Sequence, residues 1–172
     1  MKSMLLLIAA TTLVLSAGAQ DNDKSKRPSP PATATQTLED GTVVTINYSQ
    51  PSVKGRTIGK DLEPMEGKIW RAGANEATTF EVSKDVEIND QKLAAGKYSL
   101  FTIDNGDNWT IIFNKTAEQW GAYNYKEADD ALRITVEEDK AKEFAETLKY
   151  NISKDGKVSL VWGGMKVGFK VK

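Results

Sequence analysis

From Leu38 onward the apolar residues of this chain recur at every second position, and that period constrains the fold more than any other feature. A strand sends alternate side chains to opposite faces, whereas a helix needs recurrence near 3.6 residues. Thr42 to Ser49 is rich in β-branched residues, Glu76 to Val82 alternates, and Leu132, Ile134 and Val136 alternate with Arg133 and Thr135. Lys97 to Ile103 and Asn108 to Asn114 flank Asp104-Asn105-Gly106-Asp107, a hairpin signal. Both of these segments are apolar on each face, so they are expected to be central and covered on both sides. Asn89-Asp90 and Lys154-Asp155-Gly156-Lys157 mark further turns, and Gly163-Gly164 is expected to turn the chain before its last strand. About nine short strands, with turns at roughly 8–12-residue spacing, predict an all-β chain folded as a single antiparallel β-sandwich, with a closed barrel as the alternative. One short helix is allowed for at Glu137 to Thr147, which is rich in Glu, Lys and Ala.

Upstream of the strands the character changes. Met1-Lys2-Ser3 is a short basic start, Met4 to Leu15 is nearly all apolar, and Ala17-Gly18-Ala19 offers small residues where a signal peptidase reads them. Residues 1–19 are therefore expected to be a signal peptide, because an apolar run of about twelve residues falls short of the roughly 20 that span a bilayer. The protein is expected to be exported, either periplasmic or secreted, with no stable membrane anchor after cleavage. Residues 20–37 hold Pro28, Pro30 and Pro31, alternating Ala and Thr, and the basic Lys24, Lys26 and Arg27. With almost no large apolar side chain to repay ordering entropy, they are expected to be a flexible linker. The folded domain is then 38–172.

Composition removes several classes of function. Lys and Arg number 23 against 24 Asp and Glu, a net charge of −1, whereas a nucleic-acid binder normally carries a basic excess; no nucleic-acid partner is expected. Histidine and cysteine are both absent. That removes Ser-His-Asp and Cys-His catalysis, imidazole and thiolate metal sites, and disulfides. No cofactor and no metal are expected. Asp104 to Asn108 lacks the spacing and terminal Glu of an EF-hand loop and is read as a hairpin turn.

Three stretches are distinctive: Ile69-Trp70-Arg71-Ala72-Gly73-Ala74-Asn75-Glu76-Ala77-Thr78-Thr79-Phe80, Leu93-Ala94-Ala95-Gly96-Lys97-Tyr98-Ser99-Leu100-Phe101, and Trp109 to Lys115 followed by Trp120-Gly121-Ala122-Tyr123. Together with Tyr48 to Arg56 they closely resemble the secreted bacterial family catalogued as domain of unknown function 2911, common in Bacteroidetes-type organisms. The resemblance covers roughly residues 43–171. It implies an exported all-β domain of unassigned activity, and it carries over no catalytic residues.

The residues that could carry chemistry centre on Glu76. Period two places it on the face of Thr78, Phe80 and Val82, and a carboxylate turned inward needs a partner. Arg71, Arg56 and Arg133 are candidate cations, and Asn75 is adjacent. Trp120 and Tyr123 sit between polar runs, where exposed rings beside Asn, Glu and Arg suit sugars or planar ligands. The expected ligand site is Arg56, Arg71, Asn75, Glu76, Trp120 and Tyr123, with no catalytic residue assigned. The leading expectation is a non-catalytic protein that binds a small molecule, a glycan or an envelope partner. The alternatives are a carboxylate-dependent glycan hydrolase, which needs two carboxylates flanking one bond, and a structural or assembly module that offers a sheet face or edge to a partner. Oligomeric state is left open.

Overall fold

The computed structural model describes residues 23–172; the expected signal peptide, 1–19, lies outside the described residues. The described chain is all-β and antiparallel, with two 3-10 turns and no longer helix among these residues. Its strands are β1 (Pro31–Thr37), β2 (Val43–Ser49), β3 (Ile69–Trp70), β4 (Thr78–Val82), β5 (Val86–Ile88), β6 (Gln91–Leu93), β7 (Gly96–Asp104), β8 (Trp109–Asn114), β9 (Asp130–Val136), β10 (Glu138–Ile152) and β11 (Lys157–Lys170). The main sheet runs β1-β2-β4-β7-β8-β9, with β3 pairing the far end of β7. β10 and β11 form a long hairpin that packs across one face of this sheet, and β5–β6 is a small separate hairpin. No helix among the described residues is long and apolar enough to cross a membrane.

The face under the β10–β11 hairpin holds the main core. Val44 and Ile46 from β2, Phe80 from β4, Leu100 from β7 and Phe113 from β8 meet Leu148, Leu160, Trp162 and Phe169 from the hairpin. Trp70 stacks on Trp162 with ring centroids 5.9 Å apart. Phe80, Phe113 and Phe169 form an edge-to-face triangle at 5.0–5.7 Å, an arrangement in which each pair contributes about 0.5–1.5 kcal/mol beyond burial. The opposite face has a smaller cluster of Ala77, Phe101 and Ile112, covered by the segment 115–129 with Ala122 and Tyr125 packed on it. β7 and β8 are thus central and covered on both sides, as their two-faced apolar pattern requires.

The β5–β6 turn places both Asn89 and Asp90 at positive φ, the backbone of the two-residue turns that suit hairpin twist. Three expectations need correction. Residues 31–37 are not a linker: β1 pairs β2 in unbroken register from Pro31↔Ser49 to Thr37↔Val43. The sheet supplies what the sequence of β1 lacks, since Ala32 and Ala34 pack against an existing core. On the other side, Thr33 Oγ1 donates to Asn47 Oδ1 at 2.7 Å and Thr35 Oγ1 lies 3.0 Å from Thr45 Oγ1. Residues 137–147 are not helical. From Glu138 on they belong to β10, whose register against β11 shifts between Lys140 and Ala145 and again between Ala145 and Lys149; these bulges break the alternation and imitate a helical pattern. Gly163-Gly164 is no turn either, because β11 runs through both. Gly163 adopts φ +57 opposite Ala145 at the bulge, where a Cβ would meet Ile58 Cδ1 at 2.8 Å.

Candidate functional site

Glu76 lies just before β4, and Asn75 before it sits at φ +57. Glu76 precedes the regular strand, which begins at Thr78, and it does not follow Phe80 into the core. Its side chain stays 38% exposed, which corrects the inward placement expected from period two. The backbone of Glu76 bridges Trp120, Ala77 N–H donates to Gln119 O, and Gly121 N–H donates to Asn75 O. These bonds tie the segment 115–129 to the start of β4.

The cations that meet Glu76 come from upstream of β1. Arg27 Nη1 donates to both carboxylate oxygens, at 3.0 and 2.8 Å, and Lys24 Nζ lies 3.0 Å from Oε1. Asn75 Nδ2 donates to Ser29 O at 2.9 Å and holds the same N-terminal segment in place. Partial burial works against the charged carboxylate, but the Glu76 backbone N–H, Arg27 and Lys24 outweigh it and bring the carboxyl down to about 2.

Beside this latch a cleft of about 400 Å³ opens between Lys24, Asn47, Glu76, Thr79, Lys97 and Gln119. Its floor includes Tyr48, whose hydroxyl accepts from Tyr150 N–H. On its far wall Lys97 Nζ lies 3.0 Å from Glu118 Oε1, and this lysine holds the Glu118 carboxyl below its ordinary value. Ser99, fully buried on β7, donates to Thr116 O at 2.6 Å and so anchors the wall. Two buried polar atoms of the lining residues, Thr79 Oγ1 and Gln119 Oε1, have no hydrogen-bond partner. Trp120, next to Gln119, is 53% exposed, whereas Trp70, Trp109 and Trp162 are each 1% exposed.

Of the six residues expected to form the site, the fold brings together Asn75, Glu76 and Trp120. Tyr123 is 83% exposed one turn further on, where its ring covers Gly121. Arg71 contributes its carbonyl to Thr78 N–H, while its Nε is buried without a partner and it forms no ion pair among the described residues. Arg56 is elsewhere, folded onto its own turn through Val53 O and Ser52 O. Arg133, the third candidate cation, pairs with Asp130 and Glu127 instead. Sequence reasoning missed Lys24 and Arg27 because it assigned their segment to a linker, and it missed Thr79 and Gln119, for which no sequence signal exists. Among the described residues no group of three or more acidic side chains is placed to hold a metal ion.

A family model described as protein of unknown function (DUF2911) matches residues 29–171. No curated protein and no solved structure matches the chain.

Proposed function

Because the chain belongs to this family of unknown function, its activity has to be argued from the site, and we propose that it binds an uncharged, hydroxyl-rich ligand, a short glycan segment, in the cleft beside Glu76. The observation that carries this reading is a cleft of about 400 Å³ whose carboxylates already have cations, with the uncharged Asn47, Thr79 and Gln119 among its lining residues and the exposed Trp120 next to them. A sugar hydroxyl donates and accepts at once, which suits a cleft with uncharged polar residues in its lining. The charges of the cleft are already matched, Glu76 by Lys24 and Arg27 and Glu118 by Lys97. An ionic ligand would have to displace those pairs, whereas a neutral polyol would not. Trp120 offers a ring face beside the cleft for stacking on a sugar.

The hydrolase reading is less well supported. A glycosidase needs one carboxylic acid that holds its proton near neutral pH, and the cations beside Glu76 and Glu118 keep both ionised. Export to the periplasm or beyond is part of the proposal and rests on the leader-like Met1 to Ala19.

The test uses the fact that Trp120 is the one exposed tryptophan in the chain. Acrylamide quenching of tryptophan fluorescence should fall as a binding oligosaccharide covers Trp120. Thermal stability should rise by about 2.7 kcal/mol at 100 times the Kd. Trp120→Ala, at an exposed position, should weaken that binding at least tenfold, read from the thermal shift, with little loss of fold. A panel of neutral oligosaccharides that changes neither quenching nor melting, or a full thermal shift retained by Trp120→Ala, would remove the proposal.

A further inference from the structure

The two edges of the main sheet are built differently. β9, at one edge, carries Asp130 and Arg133 and has a register shift against β8 at Phe113/Asn114. Charge and irregularity of this kind keep an edge from pairing with a foreign strand. β1, at the other edge, has neither. No charged residue occurs from Pro28 through Leu38 in a chain with 27% charged residues, and the β1–β2 register runs without a bulge.

The hydrogen-bond phase identifies what the free edge offers. Leu38 N–H donates to Thr42 O and Gln50 N–H donates to Pro30 O, so the even-numbered residues of this strand turn their peptide groups toward β2. Thr33, Thr35 and Thr37 then direct their N–H and C=O groups away from β2, and among the described residues β1 pairs with no other strand. Pro31 has no N–H to offer and marks the limit of the usable edge.

We infer that this edge is a self-association surface, on which β1 of a second copy of the chain adds antiparallel about a two-fold axis through Thr35. The pattern is self-complementary in that register. Thr35 faces Thr35 of the other copy, Thr33 faces Thr37, and every outward N–H and C=O of the three threonines finds a partner. The threonine side chains lie on one face and continue the Thr–Thr and Thr–Asn contacts already made between β1 and β2. Ala34 meets Gln36 on the other face, so no charge lies between Thr33 and Thr37; Glu39 N–H, next along this edge, already donates to Lys154 O, which ends the usable edge at Thr37. The two main sheets become one continuous sheet. The inference is independent of the cleft, whose ligand plays no part in it.

Sedimentation velocity across a range of protein concentrations tests it. The wild-type protein is expected to shift from the monomer toward a species of twice its mass as concentration rises. Thr33→Lys with Thr37→Lys sets lysines opposite lysines across the axis and should hold the protein monomeric, and Thr33→Glu with Thr37→Glu should do the same. Both positions are exposed, and circular dichroism checks that each variant keeps its strands. Mixing the Lys and Glu variants should restore the dimer as a mixed species, which a folding defect could not do. A wild-type protein that stays monomeric at every concentration overturns the inference. A Lys variant that dimerises as the wild type does, or folded Lys and Glu variants that fail to pair when mixed, also overturns it.

Discussion

The two faces of the main sheet are covered by different means. Under the β10–β11 hairpin the cover is a strand pair with an apolar inner face, and Trp162, Phe169 and Leu148 interlock with Trp70, Phe80 and Phe113. On the opposite face the cover is the irregular segment 115–129, seated on a small cluster whose buried members are Ala77, Phe101 and Ile112. There the attachment is polar. Asn114, fully buried on β8, donates to Lys126 O at 3.0 Å and Asp130 Oδ1 at 2.8 Å, and accepts from Thr116 N–H at 3.0 Å. Tyr125 packs its ring edge-on to Phe101 and donates its hydroxyl to Asp130; burial and that carboxylate push its pKa up. One sheet thus carries a face that supplies cohesion and a face whose loop can present a cleft without disturbing it.

If that division holds, substitutions on the two faces should differ in size and in reach. Trp162→Ala under the hairpin should cost the most, about 3–5 kcal/mol, measured by denaturant unfolding, with exchange protection lost throughout the molecule. Asn114→Ala should cost less, about 1–3 kcal/mol for the polar groups left unpaired. Its increase in amide exchange should be confined to 115–129; loss of protection throughout would break the comparison. The smallest effect belongs to the Glu76 latch. Its folded-state pKa of about 2 lies below the ordinary 4.5, so its contribution is complete above pH 4.5 and disappears as pH falls toward 2. Because the carboxylate is 38% exposed, solvent screening reduces that contribution to about 1 kcal/mol. The stability gap between wild type and Glu76→Gln should therefore be full at pH 6 and vanish near pH 2. A gap independent of pH would mean that the carboxylate's charge contributes nothing there.

What could be read in advance depended on how local the cause was. The β7–β8 hairpin was legible because its turn residues and two apolar strands are contiguous. Glu76 was legible as a group that needs a cation. The identity of that cation was not, because Arg27 is 49 residues away and reaches Glu76 only once β1 has joined the sheet. β1 itself was illegible because small and hydroxylated residues form a strand only where an edge is waiting for them. β10 was misread because two bulges disturb the alternation that signals a strand.

The order in which the layers occur along the chain has a further consequence. All the strands of the main sheet precede residue 137, and the lid over their greasiest side arrives only with Leu148 through Phe169. Val171 and Lys172 then fasten onto Ile88 and Glu87 from the middle of the sequence. The β10–β11 hairpin must therefore be present before this fold can close. Without it the strands of the main sheet expose a wide sticky surface, and a chain cut before residue 137 is expected to form only an open half of the domain.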